Sequence, residues 1–168
     1  MKKGLILTWI IIVGLCLNKY EKKRIPEEAI RFRVIASTNL EEDQRIKKEI
    51  TKNVFAALKP IKKLQTIEET RNYMEKNLPV FHKIVDKTLK DNQIQESFHI
   101  NYGKNFFPEK TYEGEIYAEG EYESLVITLG KGEGDNFWCV LFPPICFLDE
   151  NENVEYKSWL KEILDRYF

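Results

Sequence analysis

A glycine-rich run is the first feature that suggests chemistry. The segment Gly130-Lys131-Gly132-Glu133-Gly134 follows an apolar stretch. A dinucleotide-binding loop needs a strand, the glycines, and then a helix whose N-terminus faces the phosphates. Here Asn136-Phe137-Trp138 and two prolines follow, which predicts no helix, and Glu133 and Asp135 would repel phosphate. The glycines instead indicate a tight connection with positive φ angles, or an exposed loop whose backbone closely approaches a partner.

Nucleophilic catalysis would require a cysteine or serine with a base in reach. Cys139 and His99 could form such a pair only if the fold brings them together. No hydrolase motif surrounds Cys139, so an exported hydrolase is the weaker hypothesis. Cys139 and Cys146 lack the short C-x₂₋₄-C spacing of zinc sites, and no two carboxylates are set apart as an acid–base pair. The sequence therefore predicts no catalytic residue, no metal site and no cofactor.

The same two cysteines have a structural interpretation. They enclose a segment with Pro143-Pro144 at its middle. A rigid turn there could bring the Cα atoms within the ~4.4–6.8 Å that a disulfide needs, and an exported protein permits that bond. Two buried free thiols beside aromatic residues are the alternative. Both interpretations stay open at this point.

The chain around these motifs begins with a strand and continues with helices. Alternating residues predict a strand over 25–36. A helix follows, capped by Asn39, with an apolar stripe every fourth residue and an end at Pro60. Thr66 and Glu69 have capping-box spacing and predict a second helix to about residue 78. A third helix is predicted to begin at Pro79.

Several strands are predicted after the helices, and the resulting order of elements indicates the fold class. Alternation predicts strands at 98–102, 115–117, 122–129 and 138–142, with the middle two forming a hairpin that turns at Glu119-Gly120. A short helix is predicted over 154–168. This order favours a single α+β domain with helices packed on one face of a mostly antiparallel sheet.

The N-terminus has the pattern of an export segment. Lys2 and Lys3 precede Gly4–Leu17, a run without charge. This run is shorter than the roughly 20 residues that span a bilayer, but it matches the apolar region of a secretory signal. We expect residues 1–23 to be a signal peptide or short membrane anchor. Residues 24–168 would form the globular domain, with membrane contact only through the N-terminal segment.

Charge excludes some partners without selecting one. The net charge is −1, so the field of the whole molecule favours no particular partner, and we expect no nucleic-acid partner. The distribution is uneven: residues 44–90 hold twelve Lys/Arg and five Asp/Glu, whereas residues 109–155 hold two Lys and twelve Asp/Glu. Two solvated faces of opposite sign explain this, and a charged partner-contact surface is the alternative.

Two blocks of sequence resemble the stage II sporulation protein R family. The first is Ile25-Pro26-Glu27-Glu28-Ala29-Ile30-Arg31-Phe32-Arg33-Val34-Ile35-Ala36. The second runs from Gly120-Glu121-Tyr122-Glu123-Ser124 through the glycine loop to Pro143-Pro144-Ile145-Cys146-Phe147. The resemblance covers roughly residues 25–149. Phe137 stands where the family usually has a second Trp, which keeps an aromatic side chain.

The resemblance implies an intercompartmental signal and no enzyme. Members of the family are made in the forespore and exported into the space between the forespore and mother-cell membranes. There they activate a membrane-embedded aspartic protease of the mother cell, which then processes the precursor of a sporulation sigma factor. On this interpretation the protein binds no small-molecule substrate. A structural protein of the cell envelope is a further alternative.

The segment that carries the glycines is the predicted contact surface. Clustered glycines, adjacent aromatics and a rigid proline pair favour a partner there. The competing hypothesis is that the aromatics belong to the core and the glycines only connect strands. The contact candidates are Gly130, Lys131, Gly132, Glu133, Gly134, Asn136, Phe137 and Trp138.

Overall fold

The computed structural model describes residues 28–112, 115–144 and 147. The predicted export segment, the helix predicted over 154–168 and Cys146 lie outside these residues. Within the described part of the chain, no helix is both long enough and apolar enough to cross a membrane.

Four strands form the main sheet. They are β1 (Ile30–Ile35), β2 (Phe98–Phe107), β5 (Gly120–Leu129) and β6 (Asn136–Phe142). Their order is β2-β5-β1-β6. The β1–β5 pair is parallel, and the β1–β6 and β2–β5 pairs are antiparallel. The short strands β3 (Lys110–Tyr112) and β4 (Glu115–Tyr117) pair with each other in a hairpin, which forms a separate compact unit.

Two α-helices pack on one face of the main sheet. Helix α1 spans Glu41–Leu58 and continues into a 3₁₀ helix, Lys59–Lys63, while helix α2 spans Ile67–Asp91. Alternate residues of β1 and β5 face these helices, because side chains of a strand alternate between faces. The buried core that joins the layers contains Ile30, Phe32, Val34, Ile46, Ile50, Val54, Leu58, Met74, Phe81, Val85, Leu125, Ile127 and Leu129. The predicted α+β class, with helices on one face of a mostly antiparallel sheet, is confirmed.

The hairpin predicted between residues 115–117 and 122–129 is wrong. Strand β4 pairs with β3, whereas β5 pairs with β2 over its whole length, from Phe98–Leu129 to Phe107–Gly120. The prediction took sequence neighbours as pairing partners, but β2 and β5 offer ten residues each. The longer ladder satisfies more backbone hydrogen-bonding groups.

The capping box that opens α2 is confirmed. The Thr66 side chain accepts a hydrogen bond from the Glu69 amide, and the Glu69 carboxylate accepts from the Thr66 amide. By contrast, the predicted Asn39 cap of α1 is wrong. The N-cap residue is Leu40, which offers no side-chain acceptor.

The predicted break between a second and a third helix is also wrong. Helix α2 runs through Pro79 without interruption. A proline inside a helix removes one backbone hydrogen bond and costs about 3 kcal/mol. The apolar stripe continues on both sides of it, with Met74, Phe81 and Val85 fully buried. Burial of these side chains, at about 1.5–3 kcal/mol each, outweighs the cost of the proline.

We expect Pro79→Ala to stabilise the protein. The alanine would restore an amide that can donate to the carbonyl of Glu75, so the free energy of unfolding should rise by about 1–3 kcal/mol. Urea denaturation measures this change. The matched control is Val80→Ala at the next exposed position, which should change stability by about 0.5 kcal/mol or less. Destabilisation by Pro79→Ala would contradict a continuous helix.

Candidate partner-contact surface

The connection between β5 and β6 lies against the segment that leaves β1. Because β1 stands between β5 and β6 in the sheet, this connection must cross the end of β1. The Glu133 amide donates to the Ser37 carbonyl at 3.0 Å, and the Gly134 amide donates to the Ala36 carbonyl at 3.0 Å. The Asp135 amide donates to Asn39 Oδ1 at 2.6 Å. The two segments therefore form one connected structure.

Each glycine of the loop meets a requirement of the chain itself. Gly130 and Gly132 have φ angles of +47° and +67°, which favour glycine. A Cβ atom on Gly130 would lie 2.0 Å from Glu96 Oε1, and one on Gly134 would lie 2.2 Å from the Thr38 carbonyl oxygen. Packing within the protein is therefore sufficient to explain why these positions are glycine. A contact role for the loop must rest on the exposed side chains nearby.

Four exposed side chains surround this connection. Lys131, Glu133 and Asp135 are exposed on the loop, and Leu40 is 69% exposed on the adjoining segment. We call Leu40, Lys131, Glu133 and Asp135 the turn–loop surface. Acidic residues of the first turn of α1 follow Leu40 directly, so this end of the domain is mainly negative. Single exposed apolar residues are common on protein surfaces, so a contact role for the turn–loop surface stays a prediction.

Sequence reasoning missed Leu40. Its position lies outside the apolar stripe of α1, which includes Ile46, Ile50 and Val54. The sequence did contain a signal, because Leu40 is apolar but lies outside the stripe that packs the helix on the sheet. Asn39, predicted as the helix cap, instead accepts hydrogen bonds from the Asp135 amide and from Gln44 Nε2 at 3.2 Å. It joins the loop to the segment that carries Leu40.

The remaining contact candidates lie at the start of β6. Asn136, Phe137 and Trp138 pair with Ile35, Val34 and Arg33 of β1. All three are half-buried. The Phe137 ring packs edge-on against Phe32 and Phe55, with centroids 6.1 and 5.7 Å away. Phe137 therefore has a packing role, and a contact role for Asn136, Phe137 and Trp138 stays a prediction.

Cys139 is placed poorly for nucleophilic catalysis. It is disulfide-bonded in this structure, so its sulfur is not a free thiolate. The predicted partner Cys146 lies outside the described residues, and the Cys139–Cys146 pairing stays a prediction. His99 is on β2 and Cys139 on β6, at opposite edges of the four-stranded sheet. Three strand spacings of about 4.8 Å separate these edges, which places the two side chains beyond proton-transfer distance.

A polar network joins α2 to the sheet at another position. Arg71 donates to both carboxylate oxygens of Glu123, with Nη2 2.8 Å from Oε2. The Tyr102 hydroxyl donates to Oε1 at 2.6 Å. Burial raises the pKa of Glu123, but the hydrogen bonds from Arg71 and Tyr102 outweigh burial and hold this pKa below its usual value. Burial and the bond to Glu123 raise the pKa of Tyr102, so its hydroxyl stays protonated.

This network predicts a pH-dependent contribution to stability. The pKa of Glu123 is lower in the folded state, so its contribution is present above the ordinary value of 4.5 and is lost as the pH falls through the folded value. Glu123→Gln should lower the free energy of unfolding at neutral pH by about 1.5–3 kcal/mol. The difference from the unsubstituted protein should shrink below pH 4.5. Urea denaturation across pH measures this, with the exposed Glu121→Gln as control. A difference that does not vary with pH would contradict an ionised Glu123.

Comparison with known proteins identifies the family. The family model described as stage II sporulation protein R matches residues 26–152. The chain belongs to the stage II sporulation protein R family. Stage II sporulation protein R of Bacillus subtilis (strain 168) is 36% identical over 163 residues, covering 89% of this chain and 73% of that protein. No solved structure matches. The matched range contains both the main sheet and the turn–loop surface. Membership of this family gives the protein a role in sporulation.

Proposed function

We propose that this protein is an exported, non-catalytic signal that activates a membrane-embedded aspartic protease of the mother cell. The protease would then process the precursor of a sporulation sigma factor. Membership of the stage II sporulation protein R family is the observation that carries this proposal. The separation of Cys139 from His99 supports a signal over a cysteine hydrolase.

The proposed route to the protease begins with the N-terminal segment. Lys2, Lys3 and the uncharged run Gly4–Leu17 support export from the forespore. The protein would then act in the space between the forespore and mother-cell membranes. Fractionation of sporulating cells tests this route, and recovery of the protein only from the forespore cytoplasm would contradict it.

We place the contact with the protease on the turn–loop surface. Its backbone is fixed by hydrogen bonds to Ala36, Ser37 and Asn39, so binding would order few additional groups. A fixed surface loses less conformational entropy on association. Leu40 supplies an apolar contact, and Lys131 with Glu133 supplies charges of both signs. This combination fits a specific protein partner.

The activity is testable in a host that does not sporulate. The protein, the protease and the sigma factor precursor are co-expressed, and each is left out in turn. We expect cleavage of the precursor only when all three are present. Cys139→Ser tests the hydrolase alternative, with its thermal stability measured in parallel. That alternative predicts that the variant folds but no longer supports cleavage. Cleavage without the protease would contradict the proposal, and a structural envelope protein would leave the precursor intact in every combination.

A further inference from the structure

Helix α1 and the 3₁₀ helix that follows it have charges of opposite sign at their two ends. The first turn of α1 is acidic, with Glu41, Glu42 and Asp43. From Ile50 to Thr66 the sequence contains no Asp or Glu. We define the basic stripe as the exposed lysines Lys48, Lys52, Lys62 and Lys63.

The lysines of the basic stripe are not neutralised within the described part of the chain. No ion pair involves any of these four ammonium groups there. Lysines of α2 differ, because Lys87 and Lys90 pair with Asp91 and Asp86 one turn away. Lys48 and Lys52 are one helical turn apart and share a face. The stripe therefore presents positive charge that the protein itself leaves uncompensated.

The chemistry of the stripe favours a diffuse anionic surface. All four residues are lysines, which act as flexible point charges, whereas arginine gives bidentate recognition of a particular group. Interfaces between proteins concentrate affinity in aromatic and arginine side chains, and none belongs to the stripe. Anionic phospholipid attracts clustered lysines without requiring a fixed geometry, by roughly fivefold in affinity for each lysine near the membrane.

We propose that the basic stripe binds the protein to an anionic phospholipid surface, a membrane contact beyond the one that the sequence predicts for the N-terminal segment. The turn–loop surface lies at the N-terminal end of α1, and the 3₁₀ helix lies at its C-terminal end. Eighteen helical residues separate these ends by about 27 Å. Lipid contact through Lys62 and Lys63, beyond the C-terminal end of α1, would leave the mainly acidic turn–loop surface at the opposite end of the helix. The orientation toward a protease in a facing membrane rests on the proposed function, whereas lipid binding itself does not.

Vesicle sedimentation of the full-length protein tests the proposal. Vesicles of phosphatidylcholine alone are compared with vesicles of equal parts phosphatidylcholine and phosphatidylglycerol. The readout is the ratio of the two partition coefficients, because the N-terminal segment contributes to both. Lys48→Gln/Lys52→Gln should lower this ratio about 25-fold. The matched control Lys87→Gln/Lys90→Gln removes the same net charge from ion-paired sites and should leave the ratio nearly unchanged.

The outcomes distinguish lipid binding by the stripe from a general charge effect and from a protein partner. The proposal is supported if only the stripe variant loses the preference for anionic vesicles. Added salt should also abolish this preference in the unsubstituted protein. Equal losses for both variants would show a general charge effect and overturn it, as would no loss for either. A stripe variant that binds vesicles normally but fails to activate the protease would assign the stripe to a protein partner and also overturn the proposal. No protease is present in the vesicle assay, so its result is independent of the proposed function.

Discussion

Gly134→Ala is expected to lower the free energy of unfolding by about 3 kcal/mol. The new Cβ would lie 2.2 Å from the Thr38 carbonyl oxygen and 2.6 Å from its carbon. Both of these atoms belong to the backbone, so no side chain can rotate away to relieve the overlap. The loop cannot withdraw freely either, because the Gly134 amide donates to the Ala36 carbonyl.

Gly120→Ala is the matched control for this substitution. Its Cβ would meet Tyr122 ring atoms at 3.4 Å or more, which is ordinary contact. We expect a change of about 1 kcal/mol or less. Thermal and urea denaturation of both variants measure the difference. Equal stability of the two variants would contradict the close packing of the loop on Thr38.

Phe137→Ala is expected to lower the free energy of unfolding by about 2–4 kcal/mol, somewhat less than a fully buried phenylalanine, because Phe137 is half-buried. Its ring closes a triangle with Phe32 and Phe55, whose own centroids lie 5.5 Å apart. Removal would leave a cavity between the sheet and α1, and it would also remove two edge-to-face contacts.

Phe106→Ala removes the same side chain from a position that is 58% exposed. This control should change stability by about 0.5 kcal/mol or less. If Phe137→Ala were as mild as Phe106→Ala while protease activation failed, the ring would have a contact role instead of a packing role. Denaturation and the co-expression assay together distinguish these results.

Local signals in the sequence are sufficient to predict several elements. The Thr66–Glu69 capping box specifies its own hydrogen bonds within four residues, so the start of α2 is predictable. The alternation of Phe32 and Val34 with Arg31 and Arg33 likewise predicts β1. In both cases the deciding interactions lie close in sequence or repeat with a fixed period.

Interactions between distant residues are not predictable in the same way. The parallel pairing of β1 with β5 joins Phe32 to Leu125, and nothing local specifies that pair. The sequence indicates a glycine loop, but the contact of Gly134 with Thr38 depends on β1 lying between β5 and β6. Pro79 does not end a helix, because the burial of Met74 and Phe81 on either side of it stabilises α2 as one continuous helix.

If the turn–loop surface transmits the signal, reversing the charge of its exposed side chains should weaken activation of the protease. Lys131→Glu and Glu133→Lys are made separately, each with its melting temperature measured, and both are co-expressed with the protease and the sigma factor precursor. These side chains are exposed, so we expect melting temperatures close to that of the unsubstituted protein and clearly reduced cleavage of the precursor. Lys83→Glu, at an exposed position of α2, is the control and should activate normally. Full activation by both loop variants, at unchanged melting temperatures, would contradict the claim.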